Sequence, residues 1–297
     1  MKVALQLPNG YLALAEDVDV DDREAFLKAR HGPANIGVGA SDMAAVCNHS
    51  TFLGSARNIG DVFAAVIGRL DPDFVHEDLL RDNEHIQRGV KYEPLARAAY
   101  ESASGYEVRD PKMWRIESPD TTLSEDVRTQ MLRCSPDGLV FRDVSPYKFL
   151  HPVEFKCPAQ LRTNSVPLNH LFQLQWQMFT LNAPYADYFA IYDIQELEDG
   201  TYHLKYLALR VKRSDIFIQA MLSYVTMLMR AVSEMNYTPL GLRPPRGPDR
   251  IDAAQWRNLV GRKESIDKLG EGTLYNFRAD LAKGRTPWPP GHDIEWY

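Results

Sequence analysis

Two carboxylates and a lysine recur in the middle of this sequence. Asp137 lies in Arg133-Cys134-Ser135-Pro136-Asp137-Gly138, and Glu154 and Lys156 lie in His151-Pro152-Val153-Glu154-Phe155-Lys156-Cys157-Pro158. The chemistry that uses such a set is metal-assisted hydrolysis of a phosphodiester. Mg2+ takes hard oxygen ligands, keeps several waters, and is usually held by one or two carboxylates together with phosphate oxygens of the substrate. Asp137 and Glu154 would supply the pair and the main-chain carbonyl of Phe155 a third oxygen. Lys156 would orient or deprotonate the attacking water and offset charge at phosphorus. Each piece also has a plainer reading: Ser-Pro-Asp-Gly is a good surface turn, and Glu-x-Lys is how an amphipathic strand meets water.

To act together these groups need a scaffold of strands. Met131–Cys134 reads as a short strand, Pro136-Asp137-Gly138 as a tight turn, and Leu139-Val140-Phe141 as the returning strand of a hairpin. Val153 to Lys156 alternates, so Glu154 and Lys156 share one face and Val153, Phe155 and Cys157 the other. A helix over Asn83 to Gly105 carries Glu93 next to Pro94, where it must start or bend. Pro167 precedes another helix with Leu171, Leu174, Met178 and Leu181 as its buried stripe and Gln173 and Gln177 one turn apart on a different face.

The remaining elements frame these. Asp22 to Arg30 reads as a short helix. Gly37-Val38-Gly39-Ala40-Ser41-Asp42 approaches a helix start, with Ser41 or Asp42 as N-cap and free amides suited to an anion, plain capping being the alternative. Asn58 to Leu70 is helical, Tyr106 to Arg109 and Met113 to Ile116 are short strands, and Asp187 to Ile194 pairs with Tyr202 to Val211 across Glu198-Asp199-Gly200. A long helix opens at Ser214 and runs to about Met235, its methionines serving as core filler. Residues 236–250, rich in proline, glycine and arginine, read as a linker, followed by helices over Ala253 to Leu269 and Leu274 to Lys283.

Composition limits the classes available. With 297 residues, 44% hydrophobic and 25% charged, the chain can bury a sizeable globular core. No uninterrupted apolar run reaches the roughly 18 residues that a membrane span needs, and the N-terminus is too short in its apolar part for a signal peptide, so a cytoplasmic or nuclear protein is expected. Cys47, Cys134 and Cys157 have no spacing for a disulfide framework or a zinc site. The net charge of −6 speaks mildly against nucleic acid, but residues 16–24 alone carry −5, so a local basic groove remains compatible with it.

Five weak signals also fall in one order. Gly-Ala-Ser-Asp opens a helix, Arg-Gly-x-x-x-Glu-Pro-x-Ala lies in a second, Ser-Pro-Asp-Gly forms a turn, Glu-x-Lys-Cys-Pro ends a strand, and Gln-x-Gln lies on the next helix. Over roughly residues 25–210 the chain thereby resembles the phage lambda exonuclease or YqaJ-like viral recombinase family of the PD-(D/E)xK nuclease superfamily. The resemblance implies an α/β fold with a restriction-endonuclease-like core, a central mixed β-sheet flanked by helices. It implies a Mg2+-dependent 5′-to-3′ exonuclease on linear double-stranded DNA, leaving 3′ single-stranded tails for recombination. Two Mg2+ ions are expected, with Mn2+ as the alternative, and so are a homo-oligomer, a trimer by resemblance, and a single-strand annealing protein as partner.

By motif, the resemblance makes Asp137 and Glu154 metal ligands with the Phe155 carbonyl, and Lys156 the catalytic lysine. Glu93 would act on the metal through water, and Arg30, Ser41, Ser135, Arg162 and Gln173 would bind the DNA 5′-phosphate, with Arg23 as a rival to Arg30. The expected division is an N-terminal arm and acidic loop over 1–24, a nuclease core over 25–235, and a linker with a C-terminal helical extension over 236–297. Rival readings are an endonuclease or RNase on the same core, and a catalytically silent module that binds DNA ends.

Overall fold

The computed structural model describes residues 4–16, 29, 36–52, 55–70, 83–109, 112–144, 147–236, 253–259 and 266–278. In chain order its elements are β1 (Ala4–Gln6), β2 (Leu12–Glu16), a 3-10 turn (Ala40–Asp42) leading into α1 (Met43–Val46), β3 (Ser50–Phe52), β4 (Ser55–Arg57), α2 (Ile59–Gly68) and α3 (Glu84–Ser104). They continue with β5 (Met113–Glu117), α4 (Glu125–Gln130), β6 (Leu132–Cys134), β7 (Gly138–Val144), β8 (Tyr147–Lys156) and α5 (Leu168–Thr180). The last are β9 (Tyr185–Glu196), β10 (Tyr202–Lys212), α6 (Asp215–Ser233), α7 (Ala253–Leu259) and β11 (Ile266–Phe277).

A mixed five-stranded sheet in the order β11-β10-β9-β8-β7 forms the centre. Its one parallel pair, β8 with β9, requires a crossover, and α5 supplies it. One face of the sheet packs on α5, and α6 packs in turn on α5, in a core where Trp176, Phe179, Phe217, Met221 and Trp256 are buried. The other packs on α3 through Leu95, Ala99, Tyr100, Val153, Phe155 and Phe189. A smaller antiparallel sheet, β1-β2-β5-β6, is tied to α5 by the Trp176 indole, which donates to the Arg133 carbonyl at 3.0 Å.

A polar cluster lies within the sheet's α3 side. The Arg210 guanidinium forks onto Asp187 at 2.8 and 2.9 Å, the Tyr100 hydroxyl donates to it at 2.8 Å, and His151 Nε2 lies 2.9 Å from it. Burial pushes the Asp187 carboxyl up, but His151 and Arg210 outweigh this and bring it down to about 2. These contacts fasten α3 to β8, β9 and β10.

Caps and stops follow the sequence closely. Asn58 accepts from the amides of Gly60 and Asp61 at the start of α2, and Gly105, at φ +71°, ends α3 in the left-handed region open to glycine. Ser214 caps α6, and Met221 and Met229 are buried there, whereas Met235 is exposed beyond the helix end. Among the described helices, α6 alone has the length and apolar character to cross a bilayer, yet its Phe217, Met221, Val225 and Leu228 pack into the protein core.

Four local expectations are corrected. β6 and β7 do not form a hairpin: β6 pairs with β5 on one side and meets Val38 on the other, while β7 pairs with β8, so Ser135 to Asp137 cross from one sheet to the other. Tyr106 to Arg109 makes only an isolated bridge, Arg109 to Leu139, instead of a strand. α3 begins at Glu84 behind the Asn83 cap and continues past Pro94, so of the two readings of that proline the helix start is overturned. Beyond α7, residues 266–277 form a strand where helices were expected. β10 offers an edge that pairs from Tyr202 to Val211, and cross-strand pairing there outweighs the local helical pattern. Apart from Ala29, the helix Asp22 to Arg30 lies outside the described residues, as does the linker over 237–250.

Gly138 is required by close approach. A Cβ there would sit 2.5 Å from Val108 Cγ1 and 3.3 Å from the Phe155 ring. Gly138→Ala is expected to cost about 1–3 kcal/mol by overpacking and to displace Asp137 beside it. Thermal melting should fall by several degrees, and a variant melting with the wild type would refute the crowding.

Candidate active site

β7 pairs with β8 only as far as Gly138 opposite Val153, whereas β8 and β9 stay paired from Val153 to Lys156. Past the end of β7, therefore, one edge of β8 is bordered by Asp137. The Phe155 amide donates to Asp137 Oδ2 at 2.9 Å. In an extended strand a residue's N–H and C=O lie on the same side, so the Phe155 carbonyl faces that gap too.

Glu154 settles the plainer reading of Glu-x-Lys, because it is 0% exposed. A solvated outer face would not bury it. Its carboxylate is met by three donors: Lys156 Nζ and Gln173 Nε2 (2.7 Å) on Oε1, and Gln177 Nε2 (2.6 Å) on Oε2. The i, i+4 spacing of the glutamines puts both on the side of α5 that faces β8. Glu154 and Lys156 share a face, as the alternation requires, while Val153 and Phe155 join the opposite core.

The electrostatics are those of a cation site. Burial first, then the Glu154 carboxylate and more weakly Glu93, hold Asp137 well above the usual carboxylate range, against the opposing pull of Lys156 and the Phe155 amide. Burial alone would lower the Lys156 ammonium, but Glu154 and Asp137 outweigh it and hold it above its ordinary value. Glu93 is exposed on α3, and Arg88, five residues earlier, donates from Nε to the Cys157 carbonyl at 2.9 Å, joining that helix to the end of β8. Cys157 is pushed up to about 12, by burial and then by Glu93.

Among the described residues no three His, Cys, Asp or Glu side chains gather closely enough to hold a metal unaided. Mg2+ does not need three, because substrate phosphate and water complete its shell. Mutual repulsion that raises Asp137 is what a cation between carboxylates relieves. The donor set of two carboxylates and a main-chain carbonyl therefore fits Mg2+ or Mn2+.

The residues expected to bind phosphate are placed unevenly. Gln173 lies against Glu154, Ser135 is half-buried at the crossing between sheets, and the turn carrying exposed Ser41 packs on α5. Asp42, at the start of α1, accepts no capping hydrogen bond from that helix. Instead the Gly39 amide donates to Asp42 Oδ2 at 2.9 Å. Arg162 is exposed on the loop between β8 and α5 and makes no hydrogen bond or ion pair among the described residues. Arg30 and its rival Arg23 lie outside the described residues.

Sequence reasoning gave no role to Gln177, His170 or Tyr188. His170 stacks on Tyr188 at 5.6 Å, its Nδ1 lies 3.2 Å from the Tyr188 hydroxyl, and burial followed by nearby Lys156 lowers it to about 3. Tyr188 is the strand neighbour of Glu154. The available signal was helical spacing, since His170, Gln173 and Gln177 fall at i, i+3 and i+7. Gln175, by contrast, is structural: its amide donates to the Lys212 carbonyl and accepts from the Ser214 amide, both at 2.9 Å.

Residues 25–184, more than half of the chain, match the YqaJ-like viral recombinase domain. Among solved structures, the chain is similar to an alkaline exonuclease from Laribacter hongkongensis, with 22% identity, TM-score 0.49, and coverage of 71% of this chain and 93% of that one. Against the same exonuclease in complex with dAMP the identity is 23%, the TM-score 0.50, and the coverage 68% and 90%. A phage-related exonuclease from Haemophilus somnus aligns at 10% identity and TM-score 0.43, covering 67% and 94%. No curated protein matches the chain. The fold is the restriction-endonuclease-like α/β arrangement, a mixed sheet flanked by helices.

Proposed function

The chain belongs to the YqaJ-like viral recombinase domain family, and from that premise we propose that it is a metal-dependent exonuclease degrading linear double-stranded DNA from 5′ to 3′ to leave 3′ single-stranded tails. One observation carries the reading: Glu154, wholly buried, is fixed by three donors beside Asp137 and on the face of Lys156. Burying a charge is costly unless it is paired, and Asp187 shows the structural way of doing it, one acid on an arginine fork; Glu154 differs in having a second acid, Asp137, beside it, whose carboxyl burial and Glu154 together raise.

In this mechanism Asp137, Glu154 and the Phe155 carbonyl would hold a pair of Mg2+ ions, with Glu93 assisting from α3 and Mn2+ as the alternative. When bound, the ions supply Lewis-acid polarisation of the scissile phosphate and activation of water. Lys156 orients the attacking water and sets positive charge where the reaction gathers negative charge. The Phe155 amide fixes Asp137, and the two glutamines fix Glu154. Arg30, Ser41, Ser135, Arg162 and Gln173 receive the terminal 5′-phosphate. Arginine forks and hydroxyls suit that task, and the guanidinium of Arg162, exposed and without a partner among the described residues, supports it. Gln173, also bonded to Glu154, would link the end pocket to the reacting centre. By family resemblance the enzyme works as a homo-oligomer, a trimer foremost, with a single-strand annealing protein.

The test is digestion in Mg2+ of one linear duplex labelled separately at its 5′ and 3′ ends, with and without 5′-phosphate, beside a closed circle. Early loss of 5′ label, slower digestion without the phosphate and an intact circle are expected. A cut circle would make it an endonuclease, and binding of ends without cleavage would make it a silent end-binding module.

A further inference from the structure

We infer that Gln177 is a positioning residue for Glu154, its buried amide fixing the Oε2 side of the carboxylate and leaving that oxygen one acceptor direction for a divalent cation. This rests on the proposal that Glu154 is a metal ligand.

An ionised carboxylate offers about four lone-pair directions, two on each oxygen. Oε1 uses both of its own, on Lys156 and Gln173. Oε2 uses one, on Gln177, and keeps the other. The cation is thereby directed to Oε2, and Gln177 is the group that decides how that oxygen is turned. Gln173 does not do the same work, since it holds the opposite oxygen.

Core packing alone accounts poorly for Gln177. It is 0% exposed on α5, among Leu174, Met178 and Leu181, where an apolar side chain would fit. Its amide nitrogen has a carboxylate partner, while its Oε1 accepts no hydrogen bond among the described residues. A buried acceptor without a partner costs about 1–3 kcal/mol. Gln175, two residues away, shows the structural alternative, with both ends of its amide satisfied by main chain. Gln177 accepts that cost, and what it holds is the catalytic carboxylate.

Outer groups of this kind typically change metal affinity about 10- to 100-fold when removed. The test is direct Mn2+ titration followed by the electron paramagnetic resonance of the free ion, with metal-free thermal melting, on wild type, Gln177→Met, Gln177→Asn and Glu154→Gln. Gln177→Met keeps the volume without the donor, and Gln177→Asn keeps the amide but withdraws it by one methylene. Both are expected to bind Mn2+ at least about tenfold more weakly, with Gln177→Met melting at or above the wild type. A folded variant with Mn2+ affinity within about twofold of wild type would overturn the inference, which predicts the tenfold range. So would binding that falls only in step with a lowered melting temperature in both variants, which would make Gln177 a core residue. If Glu154→Gln binds Mn2+ as the wild type does, the metal-ligand reading itself fails, whatever Gln177 shows.

Discussion

Glu154→Gln is expected to lose at least about 100-fold in turnover on linear duplex DNA, equivalent to about 2.7 kcal/mol of barrier. The substitution keeps the shape but removes the charge, and with it the ligand. Its second effect is local. Three donors converge on Glu154, and a glutamine there has one accepting oxygen and an NH2 group that must face at least one of them. Lys156, whose counter-ion is removed, is only partly exposed, so some stability is lost as well. Melting should therefore fall by a few degrees while activity falls far more. Steady-state digestion and melting on the same preparation separate the two, and a variant keeping more than about a tenth of wild-type turnover, a loss under about 1.4 kcal/mol, would take Glu154 out of the chemistry.

Lys156→Met is the complementary case. It removes the ammonium but keeps most of the stem, and it should also cost at least about 100-fold in turnover. Here, however, Mn2+ binding and binding to duplex ends should survive. The reason is in the geometry: without Lys156, Glu154 still accepts from Gln173 and Gln177, so its position is held by the helix behind it. Turnover and metal titration thus distinguish two roles for the lysine. If Mn2+ binding collapses together with activity, Lys156 is a counter-ion that builds the site. If turnover alone falls, it acts on the reacting phosphate or on the water.

The buried polar cluster gives these variants a firm frame. Asp187, Arg210, His151 and Tyr100 tie α3, which carries Glu93, to β8, which carries Glu154 and Lys156. None of the four lies at the proposed reacting centre, so changes at Glu154 or Lys156 leave this fastening intact and their effects can be read locally.

Much of this was determined by the sequence. Alternation placed Glu154 and Lys156 on one face of a strand, because side chains in an extended chain alternate whatever surrounds them. Helical spacing set the buried stripe of α5 and aligned Gln173 with Gln177, and caps such as Asn58, Ser214 and Gly105 marked where helices begin or end. These are local properties, fixed by backbone geometry within a turn or two. Tertiary structure decided which edges met. Ser135 to Asp137 had the residues of a hairpin turn, yet β6 was already paired on one side and bridged by Val38 on the other, so the chain crossed to a second sheet. Residues 266–277 became a strand because β10 had an edge to fill, a fact held some sixty residues earlier in the chain. The same holds for Glu154: strand periodicity gave its direction, but only the packing of α5 on β8 decided that this direction led into the protein and onto two amide donors, since burial depends on what another part of the chain brings to that face.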